Sequence, residues 1–205
     1  KPTFLILEYI DEASPEQGFS THFARSLAEL HRVTQDNFGL DHDNYIGSTP
    51  QKNTLETDGI VFFRDQRLRA QQELARKSGK LPHSTDKMLS KLCDRIENYL
   101  DISGEKPALQ HGDLWSGNYF PDEDQVPCIF DPAVYFGLRE ADLAMTELFG
   151  RLPQNFYDAY HEAFPLNPGY EERKDLYNLY HLLNHLNLFG GSYLASVEQV
   201  LKKYH

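Results

Sequence analysis

Most of this chain carries an apolar residue every three or four positions, and one island does not. The segments from FPDEDQVP (residues 120–127) to GLRE (137–140) read as short strands and turns, with the loop HGDLWSGN (111–118) just ahead of them. A helical body holding a small strand-and-turn insert is the strongest constraint on the fold. It predicts an α+β protein that is mainly α.

The helical part divides into several pieces. In GFSTHFARSLAELHRVT, Phe19, Phe23, Leu27 and Leu30 fall on one helix face. LETDGIVFFRDQRLRAQQELARKSGK continues with an apolar cluster at Ile60 to Phe63 and a stop at Gly79. STDKMLSKLCDRIENYLD opens with Ser84 or Thr85 as a cap and places Met88, Leu92, Ile96 and Leu100 at helical spacing. EERKDLYNLYHLLNHLNLFGG and SYLASVEQVLKKY form two further helices around Gly190 and Gly191. The opening segment KPTFLILEYIDE reads instead as a strand, apolar from Phe4 to Leu7. So apolar a strand needs neighbours, from later segments or from chain that precedes it.

Charge excludes some functions. Lys and Arg total 20 against 31 Asp and Glu, for a net charge of −11. No basic run exists to bind nucleic acid. No apolar run approaches the roughly 20 residues that cross a bilayer, and no signal peptide opens the chain, so no membrane partner and a cytoplasmic location are expected. Cys93 and Cys128 follow no metal-ligand spacing, and Cys128 in PCIFD reads as strand filling.

The loop carries the chemistry. Taken alone, HGD is a surface turn. Its spacing argues for more: Asn118 lies five positions after Asp113, and Asp131 eighteen after it, at the end of the apolar run CIF. Phosphoryl transfer needs these groups in this order. One carboxylate accepts the proton of the attacking hydroxyl, while an amide and a second carboxylate offer oxygen ligands to Mg²⁺. His111, Asp113 and Asn118 satisfy the kinase loop pattern H-x-D-x-x-x-x-N, and D-P-A from Asp131 stands where D-F-G would.

HGDLWSGN followed by IFDPAVYFGLREADLAMTELFG resembles the fructosamine kinase (ketosamine-3-kinase) family, relatives of aminoglycoside phosphotransferases with a protein-kinase-like fold. FLILEYI resembles the hinge strand of that fold, and LAELHRVT and FFRDQRL also fit. The run Arg139 to Asp142 separates this family from other phosphotransferases better than HGD does.

The resemblance implies Asp113 as catalytic base, Asn118 and Asp131 as Mg²⁺ ligands, and backbone groups of Glu8, Tyr9 and Ile10 around the adenine of ATP. It implies a ketosamine substrate, free or protein-bound, phosphorylated at its 3-hydroxyl to a labile product that releases the sugar. It also implies that residues 1–205 are the large C-terminal lobe, beginning at the hinge strand. The Gly-rich loop, strand lysine and helix glutamate of an N-terminal ATP-clamping lobe would precede Lys1. An aminoglycoside or choline kinase, and a nucleotide-binding module without catalysis, are the alternatives. No substrate contact carries over to Leu138, where the family has a polar residue, or to Gly59-Ile60-Val61, where a tryptophan is common.

Supporting roles are expected elsewhere. His111 holds the loop through hydrogen bonds, and Asp142 is a cap or loop anchor. Trp115 forms an aromatic wall for the sugar or packs. Arg67 and Arg139 bind substrate or, as the better reading, pair with local carboxylates. His31 faces the core with one nitrogen satisfied. Tyr177, Tyr180 and His181 line the core or a groove. His181 and His185 stand four apart without an acidic third ligand for zinc.

Overall fold

The computed structural model describes residues 4–204. Helix α1 (Phe19–His31) starts after Gly18, whose φ of 99° suits glycine, and buries Phe19, Phe23 and Leu27 as their spacing predicts. A hairpin follows, β1 (Asn44–Ile46) antiparallel to β2 (Thr49–Gln51). Helix α2 (Gly59–Phe62) is capped by Asp58, whose carboxylate accepts from the Ile60 and Val61 N–H groups. It runs through a π-helical stretch, Phe63–Arg69, into α3 (Ala70–Lys77), which stops ahead of Gly79. Helix α4 (His83–Cys93) starts after Pro82 without a side-chain cap. This corrects the expected Ser84 or Thr85 cap: Thr85 is buried, and its hydroxyl donates to Glu198 Oε1 at 2.7 Å.

Four short strands make the expected insert. β3 (Ala108–Gln110) pairs antiparallel with β6 (Tyr135–Gly137), and β4 (Tyr119–Pro121) with β5 (Pro127–Ile129). The remaining helices are α5 (Glu140–Leu148), α6 (Gln154–Ala163), α7 (Tyr170–Phe189) and α8 (Leu194–Lys203). The helices expected near the C-terminus are α7 and α8. The hairpin β1–β2 and helix α6 were not foreseen from sequence.

Two apolar cores result. The larger joins α3, α4, α7 and α8 through residues such as Ala75, Leu89, Leu176 and Val197. The smaller joins α1 and α6 through Phe23, Leu27 and Phe156, with Leu114 of the loop. Each fully buried Leu or Phe contributes about 1.5–3 kcal/mol relative to an exposed one. Helix α5 runs between the cores, with Ala141 and Ala144 in the larger and Leu143 in the smaller. It therefore meets the insert from a fixed position.

The opening segment corrects the sequence reading. Residues 4–10 form no strand, and Phe4, Leu5, Ile6 and Leu7 are 71–92 % exposed. Among the described residues no backbone hydrogen bond reaches this stretch; the first is from Ala13 N–H to Pro121 O. A strand closes its backbone groups only against a neighbour, and among the described residues none pairs with it. Among the described residues no helix is long and apolar enough to cross a membrane.

Candidate active site

Three chain segments meet at the loop: the end of β3, the end of β5 and the first turn of α5. His111, Gly112 and Asp113 leave β3. Gly112 has φ 81°, and a Cβ there would stand 2.1 Å from the Ala133 carbonyl oxygen. Only glycine lets the two loops approach this closely. The Ala133 N–H then donates to His111 O at 2.8 Å, and the Phe130 N–H to Asn118 O at 3.1 Å.

His111 bridges both loops with its ring. Nε2 donates to the Phe130 carbonyl at 2.8 Å, so Nδ1 is the acceptor for the Asp113 N–H at 3.2 Å. Asp142, 1 % exposed, holds the loop from beneath. Its carboxylate accepts the His111 N–H at 2.7 Å, the Gly112 N–H at 2.8 Å and His31 Nε2–H at 3.2 Å. Burial disfavours its charge, but the hydrogen bond and charge of His31, with further help from the loop, outweigh that and leave its pKa below the usual carboxylate range.

His31 departs from the expected single satisfied nitrogen, since Nδ1 also hydrogen-bonds the Tyr160 hydroxyl at 2.7 Å. Sequence alone favoured a core histidine; it is one, and it also braces the loop through Asp142. The neighbouring residues of that turn are anchors too. Arg139 meets Glu105 at 2.9 Å and the carbonyls of Phe164 and Pro165, while Glu140 meets Arg173 at 2.6 Å.

The reactive side is different. Asp113, Asn118 and Asp131 lie on the two bonded loops, and among the described residues no Lys or Arg pairs with either carboxylate. Burial raises the Asp113 pKa to about 6, with the charges of Asp131 and Asp142 adding to the effect against a lowering contribution from Asn118. A carboxylate with a pKa near the working pH suits proton abstraction. Asn118 donates through Nδ2 to the Asp113 carbonyl at 2.9 Å, which leaves its Oδ1 free to serve as a ligand. Asp131 is exposed and has φ 54°. A non-glycine residue held there costs on the order of 1–3 kcal/mol, and such strain gathers at functional sites. His181 Nδ1 is buried without a hydrogen-bond partner, 3.9 Å from Asp113 Oδ1. Burial, and then His185, push its pKa down to about 3, so it faces Asp113 uncharged.

These residues fit a divalent cation that keeps water and phosphate ligands. Among the described residues no group of three or more His, Cys, Asp and Glu side chains forms a closed metal cage. An amide oxygen beside two unpaired carboxylates is an open, all-oxygen set of the kind Mg²⁺ accepts. The adenine side is thinner. Among the described residues the backbone groups of Glu8, Tyr9 and Ile10 have no internal partners, as nucleotide contacts require, but they sit on no regular element.

The remaining candidates divide. Trp115 is 38 % exposed, two residues beyond Asp113, and its ring lies over Gly117, where a Cβ would stand 2.4 Å from it. Arg67 is 0 % exposed and does not reach the site surface. Among the described residues it pairs with no carboxylate either, which corrects the expectation from sequence. It donates to Asn53 Oδ1 at 2.9 Å and stacks 3.8 Å over the Tyr135 ring. The π-helical turn carries it inward among Phe62, Tyr135 and Tyr180. Leu138 is core, in contact range of Gly59.

The fructosamine kinase family model matches residues 1–205. The chain belongs to the fructosamine kinase family. It is 43% identical over 204 residues to a Vibrio parahaemolyticus protein named as a probable ketoamine kinase, covering 98% of this chain and 68% of that protein. It is 40% identical over 207 residues to the chloroplastic protein-ribulosamine 3-kinase of Arabidopsis thaliana, covering 98% of this chain and 62% of the relative. A crystal structure from Thermobifida fusca, described as a candidate fructosamine-3-kinase, superposes with a TM-score of 0.89 at 35% identity, over 96% of this chain and 68% of that one. A choline kinase from Cryptosporidium parvum gives 0.50 at 13% identity over 96% of this chain and 68% of its own, a likeness of fold alone. The fold is kinase-like and mainly helical, as expected. The chain spans about two thirds of the length of these relatives.

Proposed function

We propose that this protein is an ATP-dependent kinase that phosphorylates the 3-hydroxyl of ketosamines, free or protein-bound, and so initiates their breakdown. The observation that carries the reading is the unpaired set of Asp113, Asn118 and Asp131 on two loops bonded to each other. Asp113 accepts the proton of the sugar hydroxyl as its oxygen attacks phosphorus, and its raised pKa suits that role. Asn118 Oδ1 and the Asp131 carboxylate are the groups that would hold Mg²⁺, which when bound neutralises phosphate charge. His111 and Asp142 keep the loop in place. Trp115 offers a face against which the sugar can rest. Glu8, Tyr9 and Ile10 offer backbone donors and acceptors to adenine. The names of the Vibrio and Arabidopsis relatives support the substrate class.

The test is a comparison of acceptors. With ATP and Mg²⁺, the complete protein should turn over a ribulosamine or fructosamine. Activity on choline or an aminoglycoside, with none on ketosamines, would assign it to another branch of the fold. The lobe division expected from sequence is a further proposal, supported by the lack of a Gly-rich loop in residues 1–205. Those residues assayed alone should give no turnover, and comparable turnover would refute the division. The cytoplasmic location is likewise part of this reading, tested by fractionation.

A further inference from the structure

Asp131 holds a backbone conformation that few non-glycine residues adopt, so the surrounding structure must impose it. The catalytic loop restrains one side of it, through the bonds of His111 and Asn118 to Phe130 and Ala133. The other side is held by the hairpin β1–β2. Gln51 Nε2 donates to the Ala133 carbonyl at 3.0 Å, and Asn44 Nδ2 to the Val134 carbonyl at 2.8 Å. That Ala133 carbonyl is the one pressed against Gly112, so moving it would disturb both loops.

The hairpin is itself held without slack. Gln51 is 2 % exposed, and its amide also donates to Asn44 Oδ1 at 2.9 Å and accepts the Tyr180 hydroxyl at 2.7 Å. Asn53 Nδ2 donates to Asn44 Oδ1 at 2.8 Å, and its Oδ1 receives Arg67. The buried Arg67 thus finds a use as the brace of this network. Tyr180 adjoins His181, which faces Asp113, so one chain of contacts joins both reactive carboxylates.

We propose that Gln51 and Asn44 are positioning residues that fix the Ala133–Val134 backbone and thereby hold the Asp131 carboxylate in place as a cation ligand. The proposal rests on the reading of Asp131 as a ligand. A network that served stability alone would lower the melting temperature when cut, with no selective loss of cation affinity.

The probe is Mn²⁺, followed by electron paramagnetic resonance in the complete protein with a non-hydrolysable ATP analogue. Amide hydrogen exchange of the metal-free protein provides a second readout. Removing an outer-shell partner typically weakens metal binding ten- to a hundredfold. Gln51→Met should therefore weaken Mn²⁺ binding roughly tenfold and speed exchange of the Ala133 amide, with the ketosamine KM within about twofold of wild type. Tyr180→Phe keeps the bond from Gln51 to Ala133 and should weaken Mn²⁺ binding less than about threefold. If Gln51→Met does not fold, Asn44→Ala at its half-buried position carries the same test. Wild-type Mn²⁺ affinity and exchange in the Gln51 or Asn44 variant, while Asp131→Asn loses the cation, overturns this inference and spares the ligand reading. Wild-type Mn²⁺ binding by Asp131→Asn overturns both.

Discussion

Asp142 and Asp113 stand on two sides of one loop and are treated oppositely. Asp142 is sealed from water and receives three hydrogen bonds, and its carboxyl is held below the usual range. Asp113, 22 % exposed in its side chain, has one weak amide contact at 3.5 Å and two negative neighbours, and its carboxyl is raised to about 6. One environment stabilises a charge permanently. The other keeps a charge poorly stabilised, ready to take up a proton. A fold that anchors a reactive loop needs both, because the loop cannot be positioned by the group that must react.

The sharpest way to break this contrast is to delete the anchor. Asp142→Ala leaves two buried backbone N–H groups and His31 without their acceptor and should cost about 3–5 kcal/mol. Chemical denaturation would measure it, and a loss under about 1 kcal/mol would mean that Asp142 does not hold the loop.

Asp113→Asn addresses the reactive side. It should lower kcat by about two orders of magnitude or more, while nucleotide affinity barely changes. Steady-state kinetics beside nucleotide titration would separate the two, and unaltered turnover would remove Asp113 as base.

The same variant sharpens the comparison through pH. A carboxyl raised to about 6 in the fold binds its proton more tightly there than in the unfolded chain, so its contribution to stability falls as pH rises from about 4 through 6. Asp113→Asn should therefore be more stable than wild type at pH 8, by of order 2–3 kcal/mol without metal, with the gain vanishing near pH 4. Asp142 has the opposite sign. Its lowered pKa contributes stability above the unfolded value, lost as pH falls through the folded one. Melting curves of both variants across pH should diverge in these directions, and parallel curves would refute the assignment of opposite environments.

The smallest expected effect is at Trp115. Trp115→Ala should raise the ketosamine KM about three- to tenfold with kcat little changed, the scale of one aromatic contact. An unchanged KM would make Trp115 a packing residue over Gly117.

Much of this was legible in the residues. The spacing of Asp113, Asn118 and Asp131 pointed to phosphoryl transfer, since carboxylate, amide and carboxylate in that order have few structural uses together. The 3.6-residue period announced α1 and α8, because each buries one face, whereas α7 is buried all round from Leu176 to Asn184. His111 and Asp142 were expected in support and stand there. Gln51 carried no signal, since a polar residue in a three-residue strand resembles any surface position until its partners are known. Arg67 misled for the same reason: Asp65 is taken by Arg64 and Arg69, and the π-helical turn that buries Arg67 is invisible in sequence.

The sequence by itself therefore determined the helical body, the insert and the candidate reacting groups, because local periodicity and residue chemistry are properties of the chain alone. Tertiary structure decided which carboxylate is anchored and which is poised, why Asp131 holds a left-handed backbone, and where His31, His181 and Gln51 act. Those outcomes depend on burial and on partners up to 129 residues away, such as Gln51 and Tyr180, and only the folded chain brings them together.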